Sequence, residues 1–407
     1  MTATIGDDAE LPVMLPVIPR PRAAGCPLAP PPEFTEWREA AGMRRAMWQG
    51  RPTWVVSRYE DIRSSLVDPR LSAETIKTRL RAVGVTGDMP VIFARIDDPE
   101  HNRLRRMMAR DFTWRRAEAM RPQIQELVDR FLDTMIEGGP PADLVRDFAL
   151  PVPSLVISQL LGVPYSDHEF FQQQSTIGLD ARSSEDQKAA AITALFGYMF
   201  ELVERKEREP GDDLISRLIT DYVASGELSR ETAAMNGMIL LQAGHETTAS
   251  MIALGTVALL EHPDVVALLG RTDDAAVTAN IVEELMRYLT IVHSQVDRVA
   301  TEDLSIGGES IRAGDFLLMN LPAANWDPDF VDDPTSFDVA RNPRGHLGFG
   351  FGVHQCIGQH LARTEMQIAL STLARRLPSL ELAVAADELR FQNEQEIYGI
   401  EELPITW

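Results

Sequence analysis

The run Phe349-Gly350-Phe351-Gly352-Val353-His354-Gln355-Cys356-Ile357-Gly358-Gln359 gathers residue types that could hold a soft metal beside a flat ligand. It contains one of only two cysteines in the chain. No Cys-x-x-Cys spacing exists, so neither a zinc site nor a disulfide framework is expected. A single Cys26–Cys356 bridge is possible on paper, but free thiols are the expectation for an intracellular chain. A thiolate ligand needs help to stay ionised, and a helix N-terminus supplies it through free N–H groups and the positive end of the dipole. The apolar spacing after Cys356 predicts a helix over 357–376, which puts the cysteine at that end. Glycines ahead of it permit turns closed to other residues and let backbone crowd a flat ring. Gly358 leaves room beside the sulfur, and Phe349 offers a ring to shield one side. Taken alone, the same residues would also suit a glycine turn around a small buried cysteine.

Other groups with chemical potential are scattered along the chain. Ala243-Gly244-His245-Glu246-Thr247-Thr248 stands midway in a long helical pattern. Glycine inside a helix costs about 1 kcal/mol against alanine, and a threonine hydroxyl can bond back to an earlier carbonyl. Together they could open a bulge or kink; a close helix–helix contact through small residues is the plainer alternative. Glu284-Leu285-Met286-Arg287 carries an acid–base pair at i,i+3, worth only a few tenths of a kcal/mol when solvated. His101 and Arg105 fall at i and i+4 and so share one helix face. Arg298 follows a presumed strand, and His354 lies two residues before Cys356. Each of these four alone would be an ordinary surface group.

The elements that must position these residues are mostly helical. Residues 1–35 are proline-rich and irregular. Thr53–Ser57 is β-branched and predicts a strand. Helical spacing predicts helices over 115–136, 142–163, 184–208 and 275–290, with Gly/Pro clusters as stops. The longest pattern runs from Ser229 to Glu261, with Ser229 as N-cap and Glu231 in the first turn. At 1.5 Å per residue it is roughly 45–50 Å long and must cross a large domain. DLSIGGESI predicts a hairpin turning at Gly307-Gly308, DFLLMNL a buried strand, and the chain should close with a hairpin ending in LPITW. There is no internal repeat.

Composition bounds the function. The 407 residues can bury a large core without staples. An apolar fraction of 44% and a charged fraction of 25% are those of a soluble globular protein. A net charge of -22 argues against a nucleic-acid surface. The prolines of the first residues break any signal-peptide pattern, and no 18-residue apolar run could span a membrane. A cytoplasmic protein is expected. One stretch, 95–121, is arginine-rich against this acidic background and could dock an acidic partner.

The spacing Phe349-x-x-Gly352-x-x-x-Cys356-x-Gly358 resembles the haem-binding loop of the cytochrome P-450 superfamily. GCPLAPPPEF, SRYEDIRSSLVDPRLS, DPEHNRLRR, AGHETT and EELMR also occur in the family's order, so the resemblance covers nearly the whole chain. It implies a mainly α fold with a small β subdomain, a long central helix crossing a buried haem, and a single catalytic domain over 1–407. The cofactor would be haem b, with Cys356 as the axial thiolate that favours O–O cleavage. Phe349, Gly350, Gly358, Ala243 and Gly244 would lie against the haem, while His101, Arg105, Arg298 and His354 match propionate positions. Thr247 would stabilise reduced oxygen at the iron and Glu246 would relay protons. Glu284–Arg287 would be a buried structural pair. Its usual arginine partner is replaced here by Ser336 in Pro334-Thr335-Ser336-Phe337, with Arg341 as a candidate substitute, and Trp326 stands where relatives commonly carry arginine. A lid is implied at about 166–184.

The implied activity is hydroxylation of an apolar small molecule by O2, a secondary metabolite or xenobiotic, in a monomer. Ile92, Phe93, Leu240, Ala243, Val292 and Ile397 would line its pocket. Electrons would come from a separate ferredoxin and ferredoxin reductase, docking on Arg103, Arg105, Arg106, Arg110, Arg344 and Arg363. Two rivals are a peroxide-driven or coupling haem enzyme and a non-catalytic haem sensor; the Glu246–Thr247 pair counts against both.

Overall fold

The computed structural model describes residues 15–23, 25–82, 84, 90–179 and 183–407. The first fourteen residues of the predicted irregular segment therefore lie outside the described residues, as do 180–182 of the implied lid.

Three sheets form the β part. The largest has the order β1-β2-β3-β9-β6-β4, built from Val17–Ile18, Arg44–Trp48, Arg51–Val56, Phe316–Met319, Asp297–Ala300 and Leu71–Ser72 respectively. β2 and β3 are antiparallel and β3 runs parallel to β9. The expected strand at 53–57 is thus β3, and DFLLMNL supplies β9, buried at Leu317–Met319. A two-stranded sheet joins β7 (Leu304–Ile306) to β8 (Glu309–Ile311). Gly307 and Gly308 both have positive φ, +58° and +85°, as a two-residue hairpin turn requires. The third sheet pairs β10 (Glu381–Leu382) and β5 (Ala142–Asp143) on either side of β11 (Pro404–Thr406). The expected closing hairpin is therefore a longer-range pairing: LPITW fills the gap between two distant segments.

Helices make up most of the rest: α1 Pro32–Glu39, α2 Tyr59–Val67, α3 Thr75–Ala82, α4 Glu100–Ala109, α5 Trp114–Gly138, α6 Pro151–Leu161, α7 His168–Leu179 and α8 Glu185–Arg208. They continue with α9 Leu214–Leu218, α10 Arg230–Leu260, α11 Pro263–Arg271, α12 Ala275–Leu289, α13 Leu321–Asn325 and α14 Gln359–Arg376. The helix expected over 142–163 starts instead with β5 and a π-helical turn, Val145–Ala149, before α6. The apolar run could not reveal this, because Ala142–Asp143 is claimed by β11 from the far end of the chain. Ser184 caps α8 with a reciprocal bond to Gln187, and Ser229 caps α10 by accepting from the Thr232 N–H.

α10 is the axis of the fold. Its apolar residues are spread around the whole helix rather than on one face, the signature of a helix buried all round. It packs on α6, α8, α12 and α14, and Ala253, Leu254 and Ala258 are no more than 1% exposed. Among the described residues no single helix is long and apolar enough to cross a membrane; α10 and α11 have that composition only as a pair bent by 115°.

Candidate active site

The cysteine loop is assembled by backbone bonds. Gly350 donates to Leu347 O at 2.8 Å, Cys356 N to Phe349 O at 2.9 Å, and Leu347 N to the Asn325 side chain at 2.7 Å. Gly350 and Gly352 have φ of +69° and +75°. A Cβ on Gly352 would stand 2.8 Å from Leu66 O, so both the turn and the close approach to α2 demand glycine. The expected helix start is shifted: α14 begins at Gln359 with Gly358 as its cap residue. Cys356 precedes the first turn, and the N–H groups of Gly358 and Gln359 point at its sulfur. Enclosure by surrounding protein pushes the thiol up, although the residue is exposed to the cavity, while those N–H groups and the Arg105 and Arg363 guanidiniums oppose it. Both Cys356 and Cys26 are free.

The sulfur opens onto a cavity with about 1190 Å³ of space between protein atoms, its mouth included. One wall is the loop: Phe349, Gly350, His354, Cys356 and Gly358. Another is α10: Leu240, Ala243, Gly244, Thr247, Thr248 and Met251. Ile157, Phe112, Met286, Val292, Leu361 and Arg298 complete a largely apolar lining. Two motifs about a hundred residues apart in sequence thus face each other across one space.

α10 runs through Ala243–Thr248 without a break, so the possible bulge is not present. Gly244 has a packing reason: a Cβ there would meet Ile157 Cγ1 at 2.7 Å, where α6 crosses. Thr247 Oγ1 donates to Ala243 O at 2.7 Å, within the regular helix. Glu246, next in line, lies off the cavity wall. Its Oε2 is buried without a hydrogen-bond partner, and burial pushes its carboxyl up to about 7. His245 is buried against the edge of Phe171, with Nδ1 2.8 Å from Leu241 O.

The four anion-holding candidates converge. His101 on α4 lies against His354, ring centres 3.9 Å apart, with its Nε2 2.9 Å from Val353 O and its Nδ1 2.7 Å from Phe93 O. Arg105 donates to Gln355 O at 2.7 Å. Arg298 sits inside β6, not after a strand, and donates to Asp297 O at 2.7 Å. Arg298 Nη2 and His354 Nδ1 are buried with no partner. Burial, followed by Arg298, His101, Arg105 and Arg95, pushes His354 down to about 3, and burial lowers Arg298 to about 10. Such crowding of positive groups with unmet donors is what a buried dianion would relieve.

Below the loop, the Arg287 guanidinium is fully engaged. Arg287 is 0% exposed. It bonds to both Glu284 oxygens at 2.8 and 2.7 Å and to the carbonyls of Asn325, Pro334 and Ser336. Arg341 Nε adds a contact to Glu284 at 3.3 Å, so it does stand in for the arginine absent at Ser336. Trp326 donates to Tyr288 O at 2.9 Å and stacks on that ring. Arg363 lies 4.3 Å from the centre of the Phe349 ring and pairs with Glu283, which also meets His346 at 2.9 Å.

Residues 38–387 match the sequence profile of the family described as Cytochrome P450. The chain is 48% identical over 396 residues to cytochrome P450-SU2 of Streptomyces griseolus, covering 96% of each. It is 47% identical to cytochrome P450 GfsF of Streptomyces halstedii, covering 99% of this chain and 98% of that one. The chain belongs to the cytochrome P450 family. The crystal structure of GfsF superposes with a TM-score of 0.87 at 46% identity, over 96% of this chain and all of that one. That of the mycinamicin VIII C21 methyl hydroxylase MycCI from Micromonospora griseorubida, bound to mycinamicin VIII, gives 0.89 at 39%, over 97% of this chain and all of that one. The protein is a P450 monooxygenase, of a family that carries haem b on a cysteine thiolate. The free thiol at a helix N-terminus, the glycine-walled cavity and the unmet donors of Arg298 and His354 fit that group.

Some expectations fail. Ile92, Phe93 and Ile397 do not line this cavity. Phe93 is buried with its ring stacked on His101 and its N–H held by Asn236; Ile92 is the residue that leads into that turn. Ile397 bridges to Val292 from behind. Arg103, Arg105 and Arg363 are engaged by Glu100, Gln355 O and Glu283, leaving Arg106, Arg110 and Arg344 as the exposed members of the presumed docking set. Among the cavity residues missed, Glu365 is the acidic one: 3% exposed, with an unpartnered Oε2 and a carboxyl pushed well up by burial. Its spacing from Leu361 at i,i+4 could have placed it on the cavity face.

Proposed function

We propose that this P450 hydroxylates an apolar secondary metabolite or xenobiotic of medium to large size. It would act as a cytoplasmic monomer that draws electrons from a ferredoxin and its reductase. The observation that carries this reading is the apolar cavity walled on one side by the Cys356 loop and on the other by Ala243, Gly244 and Thr247. Haem b on Cys356, when bound, supplies the redox chemistry that inserts one atom of O2 into a C–H bond and releases the other as water. Arg298 and His354, backed by His101 and Arg105, would hold its carboxylates. Leu240, Val292, Ile157 and Met251 would exclude water and orient the substrate by shape.

Two residues of α10 handle protons. Glu246, poised near pH 7, can take a proton from one side and give it to the other at its free oxygen. Thr247 spends its hydroxyl proton on Ala243 O, so its oxygen faces the cavity as an acceptor. The exposed Arg106, Arg110 and Arg344 would steer an acidic electron donor toward an otherwise acidic protein. Relatives include a vitamin D3 dihydroxylase and a pentalenic acid synthase from Streptomyces species, which supports an apolar small molecule as the substrate.

The test is a compound library screened for the low- to high-spin shift of the haem Soret band, followed by turnover of the hits with ferredoxin and reductase. Hydroxylated product formed in proportion to electrons consumed is expected. Turnover with peroxide but not with the reductase system would replace this reading with a peroxide-driven one.

A further inference from the structure

One buried carboxylate near the cavity has no role so far. Asp297 opens β6 and is 1% exposed. Its two oxygens face guanidiniums from two separate elements: Arg79 Nη2 on α3 at 2.7 Å, and Arg95 Nη1 in the short turn Phe93–Arg95. Its backbone oxygen accepts from Arg298 Nη1. Arg79 is itself fixed, with its Cζ 4.5 Å from the Trp48 ring centre and 5.3 Å from that of Phe316, and Nη1 on the Gln49 side chain.

A carboxylate this buried needs cationic partners, and it has two. Arg79, Arg95 and Arg298 gather around this one carboxylate beside His354 and His101, with Asp97 also acting on Arg298 and Arg105 on His354. Arg95 is close enough to His354 to act on it electrostatically. Arg298 Nη2 and His354 Nδ1 are buried here without partners, and unmet groups among cations call for anions. The two carboxylates of haem are anions of that kind.

We infer that Asp297 is a positioning residue that sets Arg95 beside Arg298 and His354 as a further holder of the haem carboxylates and, through Arg79, ties α3 to the same cluster. The inference rests on the haem reading of the cavity. It makes two properties that would otherwise be independent, haem retention and the order of α3, depend on one carboxylate.

The experiment uses the haem-loaded enzyme with three substitutions, Asp297→Asn, Asp297→Glu and Arg95→Gln. Haem release is timed by transfer to apomyoglobin, and amide hydrogen exchange is followed by mass spectrometry. Asp297→Asn is expected to release haem about tenfold faster, equivalent to about 1.4 kcal/mol. It should also raise exchange in α3 and at 93–95 while α10 and α14 stay protected. Asp297→Glu, which keeps the charge, should return both readouts toward the parent. Arg95→Gln alters a partly exposed side chain, 27% accessible, and should speed haem release while leaving α3 exchange unchanged.

Parent-like release and exchange in Asp297→Asn would overturn the inference. So would a uniform rise in exchange across α10 and α14, which would make Asp297 a general stability residue. If Asp297→Asn fails to fold, Arg95→Gln decides alone, and unchanged haem release rejects the proposal. The red-shifted Soret band of the ferrous–CO complex should persist in all three variants. Its absence from the parent would instead overturn the thiolate-haem reading on which this inference rests.

Discussion

Two carboxyls, Glu283 beneath the cysteine loop and Glu246 on α10 beside the opposite wall, are both largely buried, yet their environments push them in opposite directions. Burial alone would raise Glu283, but hydrogen bonds from His346 and Arg363 outweigh it and hold the carboxyl down at about 2. Glu246 has burial and no compensating partner, and stands near 7. The same contrast separates the regions around them. Under the loop, Arg287 and Glu284 are completely buried and every N–H of the guanidinium finds an acceptor. On the α10 side and around Arg298, Glu246 Oε2, Arg298 Nη2 and His354 Nδ1 are left unmet. A satisfied network holds a rigid shape and resists change of charge. An unsatisfied group is available to a ligand or a proton. One region supports the ligand loop; the other is prepared to receive.

The comparison can be broken in four ways. The largest effect is expected from Cys356→Ala, which should abolish the red-shifted Soret band of the ferrous–CO complex while far-ultraviolet circular dichroism stays helical. A retained band would remove the supporting region's purpose. Next, Arg287→Met leaves the buried Glu284 with Arg341 as its remaining charged partner and should cost about 3–5 kcal/mol in denaturant unfolding. A cost below about 1 kcal/mol would show that the network is dispensable.

Third, the two carboxyls should give pH dependences of opposite sign. Glu246 is raised in the folded state, so its ionisation costs stability as pH climbs from about 4.5 through 7. Glu246→Gln removes that cost and should gain up to about 3 kcal/mol over the parent at pH 8 and nothing near pH 4. Glu283 is depressed, so it stabilises above about pH 4.5 and loses that contribution as pH falls toward 2. Glu283→Gln should therefore lose up to about 3 kcal/mol at pH 7, a loss that shrinks in acid. Parallel slopes in thermal melts across pH would erase the distinction. Last and smallest in stability, Thr247→Ala should shift unfolding by less than about 1 kcal/mol. It should keep haem and substrate binding but lower product formed per electron consumed. Unchanged coupling would take Thr247 out of proton handling.

Much of this was legible in the residues. The long helix from Ser229 to Glu261 is α10 to within a residue at each end, because a capped apolar pattern over thirty residues has no competing structure. The Cys356 loop was legible because its constraint is local: a turn needing positive φ, then a helix start. The substrate wall was legible only in part. Leu240, Ala243 and Val292 reach the cavity, whereas Ile92, Phe93 and Ile397 do not. Leu240 and Ala243 sit on α10, whose faces are set by periodicity. Val292 and the three that miss belong to short turns and bridges, where the direction of a side chain depends on what packs against it. Phe93 turns to His101 because that ring is there.

The amino-acid sequence by itself determined the family, the thiolate candidate, the acid–alcohol pair and the order of the helices, because each is written in adjacent residues or in one helix's period. Only the tertiary structure decided which charges meet. Arg341 reaches Glu284 across 57 residues, and Arg79 and Arg95 converge on Asp297 across more than 200. It also separated Arg363, held by Glu283, from the exposed Arg106. The physical reason is that a charge's partner, burial and proton affinity are set by neighbours in space, and chain periodicity carries no information about groups brought together by folding.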